Sequence, residues 1–166
     1  MYRTQPAAEL ELTADTDPDG GRWLRCGERF DVLRVPEPAG RWALRRLLGY
    51  RQPALMPGPV GLEESGPCDP AGSGGVRSDA TAAEPAACLY FVAPGAKEDL
   101  PELLDWLDWG GIELGLGAYG AGERVRAPRV WLHDPRTPAP EVVALLATIA
   151  ECCSRRMLRR ALPGPR

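Results

Sequence analysis

Lysine is almost missing from this chain: of 20 basic residues only Lys97 is a lysine, and histidine occurs once, as His133. Metal centres built on several imidazoles are thereby excluded, and His133, in VWLHDP, has no ligand companions and reads as the neighbour of an Asp-Pro turn. Phenylalanine occurs twice and tyrosine four times, so the core must be thin and largely aliphatic. No apolar run approaches the roughly 18 residues that a membrane span requires. The opening, MYRTQPAAELELTADTD, lacks the basic start and apolar centre of a secretory leader. Cys26, Cys68, Cys88, Cys152 and Cys153 form no CxxC pair, and an odd, scattered set points to reduced thiols rather than a disulfide scaffold. These absences predict a cytoplasmic protein with no membrane attachment.

The formal net charge of -3 argues against a general nucleic-acid binder, which needs a positive field over a large face. The near-exclusive use of arginine fits contacts to carboxylates or phosphates, although a coding bias toward Arg, Ala, Gly and Pro explains it equally simply. At 166 residues, with 19 glycines and 18 prolines, the expectation is one domain with much irregular chain. Residues 1–21 read as a frayed arm or edge strand, 22–160 as a single α+β domain and 161–166 as a tail.

Within the domain, Phe30, Val32, Leu33 and Val35 form a strand that Pro36 and Pro38 end. AGRWALRRLLGY then makes a helix whose stripe is Ala43, Leu44, Leu47 and Leu48. A brief strand is expected at Val60 to Leu62. Residues 65–87 carry no periodic apolar signal and read as a disordered insertion, with a mobile functional lid as the alternative. CLYFVAP is the clearest strand. Leu100, Leu103, Leu104 and Leu107 fall on one face of the next helix. A strand at Ile112 to Leu116 and an antiparallel return at Arg124 to Ala127 follow, then a helix from Pro140 to about Arg160. The expected architecture is a mixed sheet with packed helices. Cys152 and Cys153, about 100° apart on that helix, are expected to split between core and surface.

In order, RCGERFDVLRVP, GPVGL, SGGVR, LYFVAPG, LPELLDWLDWGG and IELGLGAYGAGERVRAP resemble the primase/polymerase (prim-pol) domain of actinobacterial and plasmid replication proteins. The resemblance covers roughly Cys26 to Pro128 and implies a reduced, prim-pol-like α+β domain in an actinobacterial protein. In that family the first strand ends in alternating acidic residues, the middle strand carries a histidine, and a later strand presents a further aspartate. Asp31 and Glu113 occupy the acidic positions here as a relic site. The partner of Asp31 would be Leu33, with the positive Arg34 beside it, and the middle strand has no histidine. One Asp and one Glu fall short of the converging carboxylates that two-metal phosphoryl transfer needs. Read from the strand alone, Asp31 is a solvent-facing residue or a cap for the helix that directly follows.

Three further groups are candidates. Ser73, Gly74, Gly75 and Arg77 could offer amides and a guanidinium to an anion, though linker composition explains them too. Trp106 and Trp109 lie at the edge of the leucine face, as partner anchors or as edge packing. Arg155, Arg156, Arg159 and Arg160 form a double row on the last helix, facing an acidic protein surface or a phosphate backbone. The acidic segment from Glu98 to Glu113 offers such a row a match in a second copy. The expectation is a non-catalytic protein-binding or scaffolding module with no cofactor, acting through a protein partner or self-association. The alternative is Mg or Mn with a nucleotide, or nucleic-acid binding with residual nucleotidyltransferase character.

Overall fold

The computed structural model describes residues 14–16, 18, 20–63 and 86–162. Its elements are β1 (Ala14–Thr16), β2 (Arg22–Arg25), β3 (Asp31–Pro36), α1 (Ala39–Tyr50), β4 (Val60–Leu62), β5 (Ala87–Val92), α2 (Ala96–Trp106), β6 (Gly117–Tyr119), β7 (Arg124–Arg126), β8 (Trp131–His133) and α3 (Val142–Ala161). Five strands form one sheet in the order β6-β3-β5-β4-β8, and three form another in the order β1-β2-β7. The α+β class is the one expected. All ladders among the described residues are antiparallel, so the expected mixture of strand directions does not occur.

Period-two alternation in the two central strands builds both sides of the large sheet. Leu33 and Val35 on β3, with Cys88, Tyr90 and Val92 on β5, face one core cluster shared with the three helices. Val32, Leu89 and Phe91 face a smaller cluster, closed by Leu24, Cys26, Phe30 and Val125. Helices therefore cover one face, and the three-stranded sheet covers part of the other. α1 lies close on β5 because Gly40 has no side chain: a Cβ there would come within 2.7 Å of the Cys88 Sγ. The Tyr90 hydroxyl donates to the Gly40 carbonyl at the same point. α3 contacts both α1 and α2.

Several sequence expectations need correction. The strand placed at Ile112 to Leu116 is irregular chain, and the strand follows it as β6. A single buried residue there, Leu114, meets the core, while Ile112 and Glu113 face solvent. The expected hairpin is absent: β6 pairs with β3 whereas β7 pairs with β2, so the glycine-rich turn carries the chain from one sheet to the other. β2 and β8 were not anticipated, because each is short and interrupted by arginine or tryptophan. Leu48 is 38% exposed rather than part of the buried stripe. Cys152 and Cys153 are both buried, since α3 is covered by α1 on one flank and by the sheet on the next. Residues 1–13 and most of the expected insertion lie outside the described residues, and Ala14–Thr16 is an edge strand of the three-stranded sheet.

Candidate functional site

Asp31 opens β3 with the same parity as Leu33 and Val35, so its side chain enters the helix-covered face and is fully buried. This corrects the solvent-facing reading, and α1, the helix that directly follows, has no side-chain cap. The Asp31 Oδ2 accepts hydrogen bonds from the Gly95 and Lys97 amides, each at 3.1 Å. Those amides open α2, whose own preceding residue, Gly95, has no side chain with which to cap it. Asp31 therefore serves as a cap supplied from a distant strand. Its Oδ1 is buried without a hydrogen-bond partner among the described residues.

Across from Asp31 stands a residue that sequence reasoning missed. Glu123 Oε2 accepts from Lys97 Nζ at 2.6 Å and from the Gly120 amide at 2.8 Å. Burial by itself would raise the Glu123 carboxyl, and the hydrogen bonds from Lys97 and Gly120, with the lysine charge, outweigh it and hold it below its usual value. Gly120 permits the close approach, because a Cβ would come within 2.9 Å of the Lys97 Cβ and 3.3 Å of Asp31 Oδ2. The one available signal was GAGE itself, a turn whose acid lies three residues beyond the glycine.

Asp31 and Glu113 are not brought together. Gly117 pairs with Arg34 while Tyr119 pairs with Val32, and a side chain on Gly115 would meet Pro36. Glu113 thus lies toward the far end of β3, about 17 Å along the strand from Asp31 by strand rise. Arg34 points to the opposite face from Asp31 and binds Glu63, with Nε at 2.9 and 3.0 Å from its two oxygens. Among the described residues no group of three or more His, Cys, Asp and Glu could hold a metal ion.

An open concavity of about 450 Å³ lies beside this cluster, lined by Asp15, Arg25, Cys26, Glu28, Glu123 and Arg124, among others. Arg25 is held by Asp15 at 2.7 Å and Glu123 by Lys97. The Cys26 thiol is pushed up to about 12 by burial, with the charges of Asp31 and Glu123 adding to it. A thiol so disfavoured as thiolate is a poor nucleophile.

Ser73, Gly74, Gly75 and Arg77 lie outside the described residues. The two tryptophans part company: Trp106 is 76% exposed, whereas Trp109 is half-buried against the main core. The arginine row is also divided. Arg156 is buried and donates through Nε to the Glu37 carbonyl at 2.9 Å, so it is a staple between α3 and the start of α1 rather than surface. Arg155 bonds Glu151 at 2.7 Å, and the Arg159 guanidinium sits 4.9 Å from the centre of the Trp42 ring. Arg160 is exposed. His133 is a strand residue whose Nδ1 lies 2.8 Å from the Gly58 carbonyl.

No described helix is long and apolar enough to cross a membrane. Comparisons with family models, curated proteins and solved structures found no match in any of the three.

Proposed function

We propose that this protein is a non-catalytic protein-binding module on a reduced prim-pol-like fold, acting inside an actinobacterial cell. The observation that carries the reading is Trp106, 76% exposed on the carboxylate-rich face of α2. A tryptophan left that open costs solvation, and such side chains are recurrent anchors at protein interfaces. The engagement of Asp31 with the amides of α2 supports a structural task for the residue that would otherwise lead a metal site. The test is a photo-crosslinking residue at position 106 in cells, followed by affinity measurement on the purified pair. Trp106→Ala should weaken that pair by about tenfold or more, the scale of an aromatic hot spot. Unchanged affinity, or no discrete adduct, would sink the reading.

A second reading, a divalent-ion-dependent nucleotide site, is favoured by one observation: Oδ1 of Asp31 is buried and partnerless, with Glu123 across Gly120. Calorimetry with nucleoside triphosphates, with and without Mg or Mn, discriminates. Metal-dependent heat that Asp31→Asn abolishes would favour it over the binding module.

A further inference from the structure

The antiparallel packing of α1 on α3 gathers arginines that are far apart in sequence. Together the two helices carry seven arginines against one carboxylate, Glu151. Arg46 and Arg155 both bind that carboxylate, at 2.9 and 2.7 Å, and Arg159 lies over Trp42, so positive charge lines the outer seam between the helices. Arg45 is exposed beside it and Arg160 is exposed at the C-terminal end of α3, neither with an ion-pair partner among the described residues.

α2 has the opposite character, with four carboxylates against one lysine. At 3.6 residues per turn, Glu98, Asp99, Glu102, Asp105 and Trp106 fall within an arc of about 120°. All five are exposed, and none of the four carboxylates has an ion-pair partner among the described residues. Between the two charged surfaces runs α3, which contacts both α1 and α2. Its outward side carries Val143 in the first turn and Leu158 in the last, with Leu162 just beyond the helix, exposed by 49%, 63% and 69%.

We infer that the partner of this face is a second copy of the chain, in a closed two-fold dimer with the axis running along α3. In that arrangement the outward side of α3 meets its twin, and the acidic arc of each α2 lies over the basic α1/α3 seam of the other. Each flank is then matched by complementary charge, with the exposed apolar side chains at the ends of α3 covered between the two copies. Trp106 presents its ring to the guanidinium groups of the facing seam. The inference rests on the binding-module reading and names its partner.

The experiment uses sedimentation velocity on the full chain, whose monomer mass is 18.0 kDa. Two charge-reversed variants are compared with wild type: one carries Glu98→Lys, Glu102→Lys and Asp105→Lys, the other Arg45→Glu, Arg159→Glu and Arg160→Glu. These side chains are exposed, so an unchanged circular dichroism spectrum and a cooperative melt verify that both fold. Wild type should dimerise at about 0.1 M salt and dissociate toward 1 M, where the screening length falls to about 3 Å. Each variant alone should associate about a hundredfold more weakly, because like charges then face one another. Mixing the two variants should restore a one-to-one dimer, since every reversed surface meets a reversed partner. A monomeric wild type at low salt, or a mixture that stays monomeric when wild type dimerises, overturns the inference. So does tight binding of a duplex oligonucleotide that the arginine variant loses and the acidic-helix variant gains. A monomer that still yields a discrete heterologous adduct from position 106 overturns the second copy alone and leaves the binding-module reading standing.

Discussion

On α3, Leu145, Leu146 and Ile149 are fully buried, whereas on α2 only Ala96 and Leu100 are buried and Leu103, Leu104 and Leu107 stay half-covered. The polar residues differ in the same sense. Five of the seven arginines of α1 and α3 are tied into the molecule through Glu37, Glu151 and Trp42, while the carboxylates of α2 are left to solvent. Two helical regions on one face of one sheet thus divide the work. The α1/α3 pair holds most of the burial that stabilises the fold, and α2 is a lightly held element whose firm attachment is at its first turn. Elements with few buried contacts open first, which suits a segment that presents residues to a partner.

The contrast is broken most directly by matched deletions. Leu146→Ala, at a fully buried position, should cost about 2–5 kcal/mol, and Leu104→Ala, at a half-buried one, about 1–2 kcal/mol. Denaturant melts of the two variants measure this. Equal losses would mean that α2 is as firmly packed as α3, contrary to its exposure.

Asp31 sharpens the contrast, because it is the point where the sheet grips α2. Asp31→Ala removes the acceptor for the Gly95 and Lys97 amides and should cost about 1–2 kcal/mol, in the range for a lost helix cap. Hydrogen exchange should quicken at those two amides and through the first turn of α2, with protection in α1 and α3 falling only as far as global stability falls. Asp31→Asn keeps an oxygen acceptor and should recover part of the loss. Uniformly lowered protection after either change would show that Asp31 supports the core in general rather than the start of α2.

Helices and central strands were legible in the sequence because their signals are local. The 3.6-residue spacing of Leu100, Leu103, Leu104 and Leu107, and the apolar run from Cys88 to Val92, each sit within one element. What escaped depends on pairing across distance. The assignment of β6 and β7 to different sheets is decided by partners in β3 and β2, and the glycine-rich turn reads as a hairpin from either side. Asp31 was singled out, yet its role lies in amides 64 and 66 residues away, which no local pattern encodes. The arginine row was visible on α3, but its enlargement by Arg45 and Arg46 requires the antiparallel docking of α1. Glu113 misled because an acid following isoleucine looks like the outward side of a strand that the chain does not form there.

The smallest effect expected is a pH-dependent one, and it tests the tie between α1 and α3. The hydrogen bond from Arg46, with the charges of Arg46 and Arg155, holds the Glu151 carboxyl below its usual 4.5, against a partial loss of solvation. A carboxyl whose value is lower folded than unfolded binds its proton less readily when folded. It therefore contributes stability that is complete above 4.5 and is lost as the pH falls through the lower folded value. Both side chains of the Arg46 pair are more than a third open, at 35% and 39%, so screening keeps the contribution to about 0.2–1 kcal/mol. Glu151→Gln should accordingly be less stable than wild type near neutral pH, by that amount, and the two melting curves should converge as the solution is acidified. High salt should narrow the gap at neutral pH. A gap that persists unchanged into strong acid would mean that Glu151 acts through packing and neutral hydrogen bonds, and that charge plays no part in holding α1 to α3.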